Sequence, residues 1–349
     1  MSGNTLNTPE ARIGATKGAI LRHAEPKESL GITGTQHKIG KNMSDTVKFR
    51  RYLPYGGSTT NSTTINRWSV DAVAHQTQEG VTPNVDKLDV QDISVQIKQY
   101  AAIYYYTDFV EDMYEDDIPK AQKEILGQRM GLVREMIRYG TLKGCTNKFY
   151  AGGNSRSTVD GKIGLTMLRK VSRSLKGNRG DFITSILAAG PAYNTAPVEA
   201  AFLVFVHTDA ENDIRNIEGF KEVASYANRK PVHAMEIGSA DNYRFIISPE
   251  LSSIPNAGAA VGSTGLYSTG GSYVDIYPFI VVAKDAWGDV ALRGSSSLDI
   301  KHLKPGQIDK SDILGQRGYV GSKFYSAMFI QNDGWCAVVE AGVSALSDA

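Results

Sequence analysis

The residues DISVQIKQYAAIYYY (92–106) run into TDFVEDMYEDDIP (107–119) and then KAQKEILGQRMGLVREMIRYGTLK (120–143). In the first part Ile93, Val95 and Ile97 alternate with Asp92, Ser94, Gln96 and Lys98, and the run continues into Ile103-Tyr104-Tyr105-Tyr106, which reads as a strand. An acidic run follows, Asp108, Glu111, Asp112, Glu115, Asp116 and Asp117, just before Pro119. Negative charge at a helix start is favoured by the macrodipole by about 0.3–1 kcal/mol per exposed group, and Pro is tolerated in the first turn. A cation could bind such a run, but helix-start chemistry accounts for it without one. Leu126, Met130, Val133 and Ile137 then share one face, predicting a helix over 118–143, a rod of roughly 35 to 40 Å. Gly127, Gly131 and Gly140 each weaken it by about 1 kcal/mol relative to Ala. Tertiary packing must therefore hold it.

Upstream, Val47 and Phe49 alternate with Lys48 and Arg50, and the pattern runs through Arg51-Tyr52-Leu53 to Pro54 and the Gly56-Gly57 break, predicting an earlier strand. Between the two strands lies a polar excursion, Gly56 to Leu88, holding Glu79-Gly80-Val81-Thr82-Pro83. It has too little apolar area to fold back as a domain, so the two strands are expected to form a long protruding hairpin. From Met1 to Ser44 the chain is polar and Gly-punctuated and reads as an extended arm with too few apolar residues for a core. Its basic residues Arg12, Lys17, Arg22, Lys27, Lys38 and Lys41 outnumber its acids Glu10, Glu25 and Glu28, an excess that an acidic neighbour or DNA could use.

Downstream, Leu168, Val171 and Leu175 predict a helix over 164–176, stopped by Gly177. Its polar side is basic: Lys162, Arg169, Lys170, Arg173, Lys176 and then Arg179, with no acid between Asp160 and Asp181. This is the chain's candidate DNA-facing surface, against the plainer reading of a solvated helix face. The run AFLVFV (201–206) reads as a strand buried on both faces. Thr208 and Glu211 match a capping box, with Ile214, Ile217, Phe220 and Val223 as the apolar face of the helix expected to follow. Further strands are read at 244–248 and 276–283, giving an α/β lobe over about 202–306 that is interrupted by a Gly/Ser-rich loop, 258–272. Finally, 324–330 and 335–340 read as a hairpin whose Asp333-Gly334 turn supplies positive φ angles.

The 349 residues, 41% hydrophobic and 21% charged with a net charge of +1, suffice for one or two compact units and give no whole-chain field to recruit nucleic acid or membrane. The 35 glycines are scattered without period. The start of the chain has no basic-then-apolar signal, and about 18 apolar residues never run together, so neither secretion nor membrane spanning is expected. Cys145 and Cys336 have no CxxC spacing, and His23, His37, His75, His207, His233 and His302 show no paired metal-ligand spacing. P-loop, dinucleotide and nucleophile-elbow motifs are missing. His207, at a strand end, could serve as a base, but a surface or capping role is the better reading without a partner nucleophile. Glu236, in the apolar setting Met235-Glu236-Ile237, reads as a paired structural carboxylate. Neither a metal nor a cofactor is expected, and no catalytic residue is nominated.

The order of parts, with Val47-Lys48-Phe49-Arg50-Arg51-Tyr52, Glu79-Gly80-Val81-Thr82-Pro83, Thr107-Asp108-Phe109 and Glu236-Ile237-Gly238 in sequence over about 45–340, resembles the major capsid proteins of N4-like tailed bacteriophages. The resemblance implies an α+β fold of HK97 type. It assigns an N-terminal arm (1–45), a β-hairpin E-loop (46–106), a peripheral domain with a spine helix (107–201), an α/β axial domain (202–306) and return strands of the peripheral domain (307–349). It implies no enzyme activity and no cofactor. It implies a virion protein, made in the host cytoplasm, that assembles with itself as pentamers and hexamers into an icosahedral shell. Scaffold, portal and decoration proteins are the further partners, with packaged double-stranded DNA touched weakly and nonspecifically. Arm and E-loop would lie across neighbouring subunits, Arg50, Arg51, Glu79, Gly80, Val81, Thr82 and Pro83 being the candidate inter-subunit residues. Two competing readings remain: an α/β hydrolase-like enzyme with a long insertion, and a virion decoration or tail protein.

Overall fold

The computed structural model describes residues 28–40, 44–52, 76, 77, 79, 80, 82, 90–113, 117–183, 200–225, 231–262, 264–292, 299–308 and 312–346. In chain order its elements are β1 (Thr35–Ile39), β2 (Thr46–Tyr52), β3 (Val90–Gln96), β4 (Lys98–Thr107), α1 (Asp108–Met113), α2 (Ile118–Lys143), β5 (Lys148–Tyr150) and α3 (Leu165–Gly177). Then come β6 (Phe202–Val206), α4 (Glu211–Arg215), β7 (Lys221–Glu222), β8 (Glu236–Ala240), β9 (Tyr243–Ile247), β10 (Tyr277–Val282), β11 (Trp287–Leu292), β12 (Asp299–Leu303), β13 (Arg317–Ile330) and β14 (Cys336–Ala341).

A seven-stranded sheet, β5-β14-β10-β6-β9-β8-β7, forms the larger core. Alternation along β6 sends Phe202, Val204 and Val206 to one face, where Leu168, Val171 and Leu175 of α3 cover them. Leu203 and Phe205 face the other side, against Tyr139 and Leu142 at the end of α2 and against Trp287. Cover on both faces is why FLVFV is apolar throughout. A second sheet, β1-β11-β13-β12 with β4 on the free edge of β13, carries α2 on one face. That helix starts as its sequence predicts: Asp117 caps it by accepting from the Lys120 N–H at 3.0 Å, and Pro119 lies in the first turn. β2 and β3 pair in antiparallel register as a ribbon, Thr46 opposite Gln96 and Tyr52 opposite Val90. Of the polar excursion between them only residues 76, 77, 79, 80 and 82 are among the described residues.

Three expectations are corrected. The arm is not free of internal partners over residues 28–40. Leu30 is fully buried, β1 adds to β11 in parallel, and Gly34 lets the chain run so close to Trp287 that a Cβ there would meet the ring at 2.5 Å. Residues 1–27 are outside the described set. Next, β13 and β14 are not a hairpin: they lie in different sheets, joined by a 3-10 turn, Asp333–Trp335, that Asn332 caps by accepting from the Gly334 N–H. Gly334 serves close approach to Asn178, a Cβ there falling 3.0 Å from its side chain, and it is absent from the positive-φ residues.

The helix expected from Glu211 through Val223 ends at Arg215, before Gly219 at φ 79°. Ile214 and Ile217 still reach the core. No side chain caps α4; upstream of it the His207 imidazole accepts from the Asp209 N–H, capping the Thr208–Ala210 turn, so the Thr208–Glu211 box does not form. Apart from these corrections, both sheets draw strands from more than one of the ranges 107–201, 202–306 and 307–349. β5 and β14 complete the seven-stranded sheet, while β11 and β12 belong to the other. Apolar patterning reports that a strand is buried but not against which sheet.

Candidate assembly surfaces

Alternation on β2 separates two adjacent arginines. Arg50 faces outward across the ribbon to its register partner Asp92, Nε to Oδ1 at 2.9 Å and the second guanidinium nitrogen to Oδ2 at 3.1 Å. The pair holds the Arg50 pKa up and the Asp92 pKa down. The first partner of Arg50 is thus on its own hairpin. Arg51 faces the body, half-buried, and loss of hydration pushes its pKa down. It lines a cleft of about 420 Å³ with His37, Phe49, Asp285, Phe329 and Trp335. Below that cleft the ribbon is anchored: Phe49 stacks on Phe329 at 4.6 Å, His37 sits 4.9 Å from Phe49, and Val95 packs with Val290 and Ala327.

Glu79 and Gly80 form an exposed turn, Gly80 at φ 78° with open space where a side chain would stand, and Thr82 is exposed. Val81 and Pro83 lie outside the described residues.

The basic face of α3 is real in three dimensions. Arg169, Lys170, Arg173 and Lys176 are exposed along it, with Arg179 one turn beyond. Arg169 comes within 3.9 Å of Asp241, Lys170 lies over the Phe149 ring and Lys176 over the Phe182 ring. Lys162 departs from this face, donating to Ser344 Oγ at 2.6 Å and approaching Asp213 at 3.9 Å.

Two features escape sequence reading. The side of the second sheet away from α2 forms an open groove of about 320 Å³, lined by Ala101, Ile103, Lys301, Leu303, Tyr319 and Lys323. The signal for it is that β4 is apolar on both faces while one helix covers one of them. Large apolar side chains also stand in water on α1, Phe109 and Met113, and between β12 and β13, Ile308, Ile313 and Leu314. Monomeric proteins seldom expose so much.

The candidate chemical residues take structural parts. His207 caps a turn, and Tyr277 donates to Asp209 at 2.8 Å beside it. The buried Glu236 lies 3.5 Å from Arg244 and accepts from the Val232 N–H. Cys145 and Cys336 are buried free thiols, Cys145 Sγ donating to the Cys336 carbonyl at 3.2 Å. Among the described residues no cluster of His, Cys, Asp and Glu could hold a metal, and no helix is long and apolar enough to cross a membrane.

No family model matches the chain. It is 22% identical over 234 residues to the major capsid protein of Pseudomonas phage KPP21, a match that covers 62% of this chain and spans 59% of that protein. Among solved structures, a chain of the capsid of Ralstonia phage GP4 superposes with a TM-score of 0.67 at 11% identity, all of both chains being covered. A chain from the capsid asymmetric unit of cyanophage Pam1 gives 0.61 at 14% identity, over 99% of this chain and 100% of that one. The chain has the HK97-type fold of phage capsid subunits. The likeness extends over the whole chain, whereas the sequence resemblance began only near Asp45.

Proposed function

We propose that this protein is the major capsid subunit of a tailed phage, a virion protein that assembles as pentamers and hexamers into an icosahedral shell around double-stranded DNA. The observation that carries the reading is the end-to-end likeness to phage capsid chains, joined to an anchored ribbon, an open sheet face and exposed apolar side chains of the kind that subunit contacts cover. The narrower N4-like placement rests on the order and spacing of four short sequence strings.

In this reading Arg51, Glu79, Gly80, Val81, Thr82 and Pro83 meet adjacent subunits, and Arg50 does so as one half of its ion pair with Asp92. Arg169, Lys170, Arg173, Lys176 and Arg179 face packaged DNA and bind it through counterion release, without base readout. Scaffold, portal and decoration proteins are the further partners, and synthesis is in the host cytoplasm. The role is structural rather than catalytic: His207, the one side chain considered as a base in the sequence, accepts a hydrogen bond from the Asp209 N–H as a turn cap. Sedimentation velocity of the purified protein tests the reading. Pentamers, hexamers or megadalton particles support it, and a small closed oligomer at every concentration overturns it.

A further inference from the structure

Two thiols that their sequence spacing leaves unrelated come together where α2 ends. Cys145 follows that helix directly, its N–H donating to the Leu142 carbonyl at 3.1 Å, and Cys336 opens β14. β5 and β14 run parallel with Lys148 beside Val338, and the Val338 N–H donates to the Asn147 carbonyl at 3.0 Å. Two residues back in that register Thr146 falls beside Cys336, which makes Cys145 and Cys336 diagonal neighbours with backbones about 5 to 6 Å apart, within the span of a disulfide. Alternation along β14 sends Cys336 and Val338 to one face of the sheet, and Cys145 packs in the same cluster. Ala337 and Val339 take the opposite face. The Cys145 thiol donates to the Cys336 carbonyl at 3.2 Å. The Cys336 thiol stands within hydrogen-bond reach of it and, ahead of burial, pushes the Cys145 pKa up. Both side chains are fully buried.

We propose that Cys145 and Cys336 are an oxidation site: outside a reducing compartment they close to an intrachain disulfide that ties the end of α2 to β14. That the chain leaves a reducing cell rests on the shell reading above; the pairing of the two thiols does not. A peroxide is the oxidant. It oxidises one thiol to a sulfenic acid and is itself reduced to water; the second sulfur then attacks the sulfenic sulfur, the S–S bond forms, and the displaced hydroxide leaves with the second thiol's proton as another water. Burial favours an oxidant of this class, because a peroxide is little larger than water whereas a glutathione-sized disulfide cannot reach sulfurs shut away from solvent. Closure also orphans little. The Cys336 carbonyl gives up the Cys145 thiol but keeps the Asn147 side-chain amide, which donates to it from Nδ2 at 3.2 Å. The bond closes a loop across 191 positions of the sequence, which withdraws conformational freedom from the unfolded chain.

Trapping the thiols tests the site, and the chain has only these two cysteines to read. The purified full-length protein is treated with hydrogen peroxide or with dithiothreitol and then denatured in N-ethylmaleimide. Mass spectrometry of the oxidised chain should find neither cysteine alkylated and one pair of peptides joined through Cys145 and Cys336, while the reduced chain should carry two alkyl groups. On non-reducing gels the oxidised chain should still run as a monomer. Its melting temperature should lie about 5 °C above that of the reduced chain, and Cys336→Ser should remove that difference.

Two alkylatable thiols after prolonged peroxide treatment, sulfinic acids in place of the disulfide, or links only between separate chains would overturn the site while leaving the shell reading in place. A joined pair in a chain that never forms shells would uphold the site and sink the shell reading instead.

Discussion

The carboxylate of Glu135 on α2 accepts from the backbone N–H of Leu30 at 2.8 Å, fastening the base of the N-terminal segment to the long helix. The neighbouring Ser29 N–H donates to the same oxygen at 2.7 Å. Arg138, one turn on, reaches Glu135 at 3.3 Å, Glu28 at 3.0 Å and Asp289 of β11 at 3.5 Å. Glu135 is fully buried. This cluster ties arm, helix and second sheet together, and a buried carboxylate with two backbone donors is costly to remove.

Glu135→Ala strips the acceptor from two buried N–H groups and removes one counter-charge of Arg138. Urea unfolding of isolated subunits should show a loss of about 2–4 kcal/mol, and amide exchange should quicken over 28–39 before it does in α3. Glu135→Gln keeps an acceptor and should lose less. Unchanged exchange at Leu30 in the alanine variant would refute the fastening.

Adjacent arginines on β2 should behave differently. Arg50 is exposed and paired on the ribbon, so Arg50→Ala should leave thermal unfolding nearly unaltered. Arg51→Glu puts a carboxylate into a half-apolar cleft already lined by Asp285, and shell yield measured by pelleting should fall sharply. Normal yields with Arg51→Glu would remove this residue from the inter-subunit contacts.

His302 on β12 bonds through Nε2 to the Tyr106 hydroxyl at 2.7 Å. Burial first, then Lys123 and Lys304, lower its pKa below the usual 6.5, with Glu111 and Asp117 opposing weakly. The folded state therefore takes its proton at lower pH than the unfolded chain does. Stability is complete above pH 6.5 and falls as the pH drops below it. Burial and nearby acids also push the Tyr106 pKa up to about 12, so that side chain stays neutral throughout. Melting temperatures of subunits between about pH 7.5 and 5.5 should decline less in His302→Gln than in the parent; equal declines would show that His302 is not the group responsible.

The basic face of α3 predicts a salt effect. Arg169→Glu, Arg173→Glu and Lys176→Glu together should weaken binding of a duplex fragment and reduce the slope of log K against log salt by about 2 to 3. An unaltered slope would assign the face to plain solvation.

How much of this was legible beforehand follows from which forces are local. The limits of α2 could be read because its cap, Asp117, its first-turn Pro119 and its apolar face all lie within the helix. The same holds for α3 and for β6, whose apolar pattern already states how it is covered. The separation of β13 from β14 was not legible. Asp333-Gly334 looks like a hairpin turn, and only the packing of Gly334 against Asn178 shows that it turns a corner between sheets. Polar TQHKI became β1 because β11 offered an edge, a long-range fact. The helical pattern did not single out Glu135 and Arg138, because their burial depends on a segment more than a hundred residues away. Of the candidate surfaces, the basic face of α3 followed from helical spacing, whereas the groove required knowing which face of β4 the helix leaves bare.

The central claim is that copies of this chain complete one another. Negative-stain electron microscopy of the purified full-length protein tests it most directly. The account predicts five- and six-membered rings or closed icosahedral particles; a uniform field of separate monomers or dimers at assembly concentrations would contradict it.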